Sequence, residues 1–134
     1  MKLVLCHGVF DIMHLGHIRH LQEARKLGDL LIVTVTPDKA VAKGKDRPVF
    51  KADLRAEALQ ALHCVDTVEV LGALEAIAKY KPHIYVKGPE CRRHKTPGLL
   101  KEIEAVRAYH GEVAYTQGEI FSSTEIIRKV MAYG

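Results

Sequence analysis

A chain of 134 residues, 48% apolar and 27% charged with no tryptophan, is expected to form one domain over residues 1–134 with its own core, and it is neither disordered nor low in complexity. No apolar run approaches the roughly 20 residues of a bilayer span, and KLVLC (2–6) is too short for a signal-peptide core, so a soluble, cytoplasmic protein with no membrane partner is expected. The net charge of +4 is local, and the three cysteines (Cys6, Cys64, Cys91) are odd in number without a CxxC pair, which argues for a reducing compartment and against a disulfide framework or Cys-rich zinc site.

Strand and helix signals alternate from end to end. KLVLC (2–6) is a short buried strand running to Gly8. Leu15 to Leu27 carries apolar residues at helical spacing and stops at Gly28. LLIVTV (30–35) is a second strand, followed by a long polar loop over 37–50. Asp53 is read as the cap of a helix from Leu54 to about Leu62, and Thr67 to Leu71 as the third strand. Leu74 to Tyr80 is a short helix closed by Lys81-Pro82, and Ile84 to Val86 a fourth strand broken by Gly88-Pro89. Leu99 to His110 is a helix closed by Gly111, Glu112 to Thr116 a fifth strand, and Ser122 or Ser123 caps a last helix, Thr124 to Met131. The order βαβαβαβαβα predicts an α/β fold: a Rossmann-like, doubly wound parallel five-stranded sheet in a three-layer α/β/α arrangement.

Such sheets bind ligands beyond the carboxyl ends of their strands. Every basic or histidine-rich segment here follows such an end. Lys39–Lys51 holds five basic residues (Lys39, Lys43, Lys45, Arg47, Lys51) against Asp46, and Lys87–Lys95 holds four (Lys87, Arg92, Arg93, Lys95) against Glu90. Two short basic loops suit capture of a compact anion; a nucleic-acid binder shows a longer stripe with interleaved aromatics.

Four of the eight histidines fall in CHGVFDIMHLGHIRH (6–20). His14 and His17 stand three apart at a helix start, about 60° apart on one face, with Gly16 leaving room for close approach. A helix N-terminus offers free N–H groups and positive potential, so two imidazoles there suit a phosphate. A metal site of His14, His17 and His20 is the alternative, but the third ring is rotated by about 120° and only Asp11 offers a fourth ligand.

GVFDIMHLGH (8–17) resembles the GxFDxxHxGH signature of the cytidylyltransferase-like nucleotidyltransferases, and SSTEIIRKV (122–130) resembles their second signature. GHIRHLQEARKLGDLLIVTVTPD, RPVFKADLRAEALQALHCVD and PHIYVKG are similar to the nucleotidyltransferase domains of the ADP-heptose synthase group and its sugar-phosphate and phosphonate relatives. The resemblance implies transfer of CMP or AMP from an NTP to a phosphorylated small molecule, with pyrophosphate released, Mg²⁺ as cofactor and a homodimer as the assembly. It implies that His14, His17 and Lys45 are catalytic, with Lys45 weakly preferred over Lys43. Gly8, Val9, Phe10, Asp11, Gly16, Val86, Lys87, Gly88, Ser122, Ser123 and Thr124 would bind the nucleotide. Arg55 and Lys43 would meet phosphate of the acceptor or triphosphate, and Asp11 would organise its loop with Mg²⁺ as a further role. His7 is a loop residue of secondary role and His20 structural. After Lys87-Gly88 the heptose relatives continue with glycine and aspartate, whereas this chain has Pro89-Glu90-Cys91-Arg92-Arg93, which leaves the acceptor and the choice between CTP and ATP open. A non-catalytic nucleotide sensor on the same fold is the alternative function.

Overall fold

A computed structural model describes residues 1–118 and 122–133. Its elements run β1 (Leu3–Gly8), α1 (Leu15–Arg25), β2 (Leu30–Val35), a single 3₁₀ turn (Asp38–Ala40), α2 (Ala52–Gln60), β3 (Thr67–Val70), α3 (Ala73–Tyr80), β4 (Ile84–Lys87), α4 (Pro89–Arg93), α5 (Pro97–Arg107), β5 (Glu112–Tyr115) and α6 (Ser123–Tyr133). The five strands pair in the order β3-β2-β1-β4-β5, every pair parallel.

The three central strands, β1, β2 and β4, are short and mostly apolar because both faces of the sheet are covered there. Side chains alternate across it. Val4 and Cys6 of β1, Leu31, Val33 and Val35 of β2, and Ile84 and Val86 of β4 meet Leu21 and Ala24 of α1 and Leu59 of α2 on one face. Leu5, Ile32 and Tyr85 meet Ala76 and Ile77 of α3 and Val106 of α5 on the other. Leu5, Leu21, Leu31 and Leu59 are fully buried, each contributing about 2 kcal/mol by removal from water. The Rossmann-like, doubly wound reading of the sequence is therefore the observed architecture.

From β1 the chain works outward through β2 to β3, then crosses back to β4 on the other side of β1. The strand order reverses between β1 and β4, and the crevice beyond their carboxyl ends is where such a fold places a ligand.

Several local expectations are corrected. α1 ends at Arg25, and Gly28 is not its left-handed stop; a Cβ there would lie 2.6 Å from Val4 Cγ2, so Gly28 permits a close approach to β1. The cap of α2 is Lys51, with Asp53 inside the first turn. The N–H of Ala52 is instead satisfied by the Asp38 carboxylate at 3.0 Å, a partner 14 residues away that local patterning does not reveal. The segment after β4 is not all loop: Pro89 opens α4, its ring already fixed at a helical φ. α5 begins at Pro97 because the Thr96 hydroxyl accepts from Leu99 N at 3.1 Å. Of the segment between the expected fifth strand and last helix, residues 119–121 lie outside those described.

Candidate active site

The turn between β1 and α1 is strained by design of the sequence. Phe10 and Ile12 adopt φ of 52° and 53°, a region that costs any residue with a Cβ about 1 kcal/mol or more. Phe10 folds back so that a Cβ on Gly8 would sit 3.0 Å from its ring, which is why position 8 is glycine. The ring is 7% exposed and meets His17 edge-on, centroids 5.5 Å apart.

α1 then begins with a cap made of histidines. His14 takes the N-cap position, and its Nδ1 accepts from Gly16 N at 3.1 Å. His17 reaches back, its Nδ1 accepting from His14 N at 3.3 Å. Serine, threonine, aspartate and asparagine are the usual caps; here imidazoles take both roles. With each Nδ1 accepting, each neutral ring carries its proton on Nε2. The two rings stack, centroids 3.9 Å apart at 24°. Burial, then the neighbouring charges of His14, Lys43 and His20, hold His17 down at about 4, and burial and Lys43 lower His14 as well. Both are neutral donors near pH 7.

These rings line a cavity of about 460 Å³ at the carboxyl ends of the strands, within the range of small-ligand sites. Gly8, Val9, Phe10, Gly16, Lys43, Lys87, Gly88, Ser122 and Ser123 share its wall with them. His7, Arg19, His20, Pro89, Glu90, Cys91, Thr116 and Gly118 also line it and were not singled out as binding residues. His20 reaches it from α1, its Nδ1 2.7 Å from Thr116 Oγ1 at the end of β5. His7 is held between Thr34 and Thr36 at 2.8 and 3.2 Å. Both are pushed down to about 4, first by burial and then by the Lys87 ammonium.

Five expected site residues are placed elsewhere. Val86 is fully buried in the core, because strand alternation turns it away from the cavity edge. Lys45 is exposed and outside the lining, whereas Lys43 is in it, reversing the preference between them. Arg55 is 2% exposed and each of its three nitrogens donates a hydrogen bond: Nε to Phe50 O at 2.9 Å, Nη1 to Val9 O at 2.8 Å and Nη2 to Asp38 at 2.7 Å. It braces the two loops flanking the site and does not reach the cavity. Thr124 lies just outside the lining, its Oγ1 accepting from Arg47 Nη1 at 3.0 Å.

Asp11 is the fifth, 1% exposed and behind the wall. Its carboxylate accepts from Arg47 Nε at 2.9 Å, Val49 N at 2.7 Å and Phe50 N at 3.0 Å. Burial by itself would raise this carboxyl, but the two backbone N–H groups and the guanidinium outweigh it and hold it below its ordinary value. With three donors on its two oxygens, Asp11 does not fit the role of a Mg²⁺ ligand. Among the described residues no cluster of His, Cys, Asp and Glu suited to a metal ion occurs.

Arg47 is the residue that sequence reasoning missed. Its side chain is 7% exposed, and its Nη2 is a buried donor with no partner among the described residues. It was visible only as one charge of a basic loop; nothing in the sequence pairs it with Asp11, 36 positions earlier. Together Arg47 and Ser123, whose hydroxyl donates to Asp11 O at 2.8 Å, lock the start of α6 to the first motif. Ser122, and not Ser123, caps α6: its Oγ accepts from Glu125 N at 3.3 Å.

Two helix N-termini, an imidazole pair and two lysines converge on a crevice at the switch point of a parallel sheet, which defines a nucleotide-handling α/β domain of the nucleotidyltransferase class. Residues 5–129 match the family model described as Cytidylyltransferase-like, and the chain belongs to that family. It is 38% identical to the Bifunctional protein HldE of Pelobacter propionicus over 97% of this chain and 27% of that protein. It is 36% identical to the HldE of Geobacter sulfurreducens over 99% of this chain and 28% of that one. The chain thus spans about a quarter of the length of these curated relatives. Among solved structures it is similar to the lipopolysaccharide core biosynthesis protein from Thermoplasma volcanium, with a TM-score of 0.76 and 27% identity over 90% of this chain and 99% of that one. The pantothenate synthetase of Thermus thermophilus shares the fold, with a TM-score of 0.62 at 15% identity over 94% of this chain and 61% of that one.

Proposed function

We propose that this chain transfers a nucleoside monophosphate, CMP or AMP, from an NTP to a phosphorylated small molecule and releases pyrophosphate. The acceptor class is a sugar phosphate, polyol phosphate or phosphonate; the resemblance to the ADP-heptose synthase group and the name of the Thermoplasma protein make a sugar phosphate the first to test. The carrying observation is the histidine cap of α1: both Nδ1 atoms accept backbone N–H groups while both rings line the cavity.

In the proposed step an acceptor phosphate oxygen attacks the α-phosphorus in line. A bond from that oxygen to phosphorus forms, the bond to the β-bridging oxygen breaks, and pyrophosphate carries away the electron pair. Catalysis then consists of positioning and charge stabilisation. His14 and His17 donate from Nε2 to the phosphoryl oxygens as negative charge grows. Lys43 neutralises the triphosphate from the loop after β2, and the start of α6, with Ser122 and Ser123 at the cavity wall, receives the leaving phosphates. Mg²⁺, on this reading, would come with the triphosphate, since the Asp11 carboxylate lies behind the cavity wall and already accepts three hydrogen bonds. The expected homodimer and cytoplasmic setting belong to the same reading.

The test is a grid of ATP and CTP against phosphorylated sugars, polyols and phosphonates, read by pyrophosphate release. Turnover with one pair supports transfer. Nucleotide binding by calorimetry without pyrophosphate from any pair would favour a nucleotide sensor on the same fold.

A further inference from the structure

On the far face of the sheet from α1, Tyr85 and Lys87 stand two residues apart on β4 and so share a side. α5 packs over that side and contributes Glu102. The Tyr85 hydroxyl donates to Glu102 Oε1, and the Lys87 ammonium lies 3.8 Å from the same oxygen. Lys87 Nζ also sits 3.4 Å from the carbonyl of His7 and 5.5 Å from the centre of the Tyr85 ring. The side chains of Lys87 and Glu102 are only 15% and 16% exposed. Lys87 lines the cavity; Glu102 does not.

A largely buried ammonium on a four-carbon stem is costly to hold in one place unless a counter-charge fixes it. Here three groups on three elements converge on one: a carbonyl of β1, an aromatic face of β4 and a carboxylate of α5. Tyr85 is itself fully buried, and burial followed by the adjacent Glu102 carboxylate pushes its hydroxyl far up, so it stays a donor and fixes the carboxylate in turn. Among the described residues, the hydrogen-bond and ion-pair partners of Glu102 are Tyr85 and Lys87. The arrangement serves Lys87.

We propose that Glu102 is a positioning residue for nucleotide affinity: with Tyr85 it holds the Lys87 ammonium at the cavity wall, across the sheet from the histidine cap, where it meets acceptor atoms of the bound nucleotide. This rests on the cavity taking a nucleotide. Lys87 lines the same cavity as the imidazole pair but reaches it from the opposite face of the sheet, so its placement is expected to show in nucleotide binding more than in the chemical step.

The experiment uses ATP and CTP as probes, with Glu102→Gln, Tyr85→Phe, Lys87→Met and the double variant Glu102→Gln/Lys87→Met. Glu102→Gln keeps the volume and an acceptor for Tyr85, so the fold persists. The dissociation constant of the tighter nucleotide is expected to rise about tenfold in Glu102→Gln, with kcat for pyrophosphate release within about twofold of the parent. Lys87→Met raises it at least as much, and the double variant adds nothing further, since the carboxylate acts through the lysine. Tyr85→Phe has a smaller effect in the same direction. Unchanged binding in Glu102→Gln while Lys87→Met weakens it, or full additivity in the double variant, would overturn the proposal and leave the transferase reading standing. If the parent protein binds neither ATP nor CTP, the transferase reading fails instead. The tether is then read directly by ¹⁵N NMR of the Lys87 ammonium: a signal protected from exchange in the parent and lost in Glu102→Gln upholds it, and equal signals in both refute it.

Discussion

The Ser123 hydroxyl donates to the main-chain carbonyl of Asp11 at 2.8 Å, joining residues 112 positions apart. Through this bond the start of α6 is set against the turn that opens α1. The Asp11 carboxylate does the same for the loop after β2, taking Arg47, Val49 and Phe50. One buried aspartate therefore fixes three of the segments around the cavity.

Asp11→Ala should accordingly be among the most damaging single changes outside the hydrophobic core. It strands a guanidinium already 93% buried, since its exposure is 7%, and frees two backbone donors. Breaking a buried pair from one side costs about 3–5 kcal/mol. A fall of that size in the urea-unfolding free energy is expected, together with loss of pyrophosphate release. Ser123→Ala removes a single neutral bond and should cost about 1 kcal/mol. Equal, small effects from both would contradict the hub role of Asp11.

His14→Ala and His17→Ala should separate catalysis from folding. Each removes a donor from the cavity, and deletion of one such donor lowers turnover by about 10²–10³-fold. The stability cost is that of a cap, about 1 kcal/mol, so the circular-dichroism spectrum should be retained. Near-parental rates in both variants would sink the transferase assignment.

The two loop lysines make a sharper comparison. Lys43 lines the cavity and Lys45 points outside it. Lys43→Ala is expected to lower kcat/KM by about tenfold or more, and Lys45→Ala by less than about twofold, a surface charge being worth little. A larger loss in the Lys45 variant would show that this loop closes differently around substrate.

The parallel five-stranded sheet, its two helical faces and the histidine pair at a helix start were legible in the sequence because each has a local signature; the order of the strands within the sheet has none. Short apolar runs such as LVLC and LLIV, alternating with helical patterns, read as buried parallel strands, and His14-Leu15-Gly16-His17 marks a helix start. The errors share one physical cause. Arg55 and Asp11 carry the residue types of a phosphate clamp and a metal ligand, yet their partners come from Val9, Asp38, Arg47 and Phe50. Residue type proposes chemistry, but only tertiary pairing decides whether a charge faces ligand or protein. Val86 failed for a simpler reason: one step along a strand exchanges cavity edge for core.

Acid stability gives the last test. His7, His17 and His20 are each held near 4, against an ordinary value of 6.5, chiefly by burial. Their folded values are depressed, so below pH 6.5 the unfolded chain takes up protons that the folded chain refuses. Stability is therefore whole above about 6.5 and falls as the pH drops toward 4, where the folded state begins to protonate as well. Each ring contributes on the order of 2–3 kcal/mol to the loss, a large share together of a usual total of about 5–15 kcal/mol. Asp11, also depressed, adds a second step at lower pH: its stabilisation is present above its unfolded value and lost as the pH falls through its lower folded one. Urea midpoints at pH 7.5, 6.0, 5.0 and 4.0 should decline steadily, and His20→Gln, which keeps a polar partner for Thr116 but cannot titrate, should flatten the decline. A midpoint constant from pH 7.5 to 4.5 would mean that these rings protonate freely in the folded protein, and the neutral histidines described above would have to be abandoned.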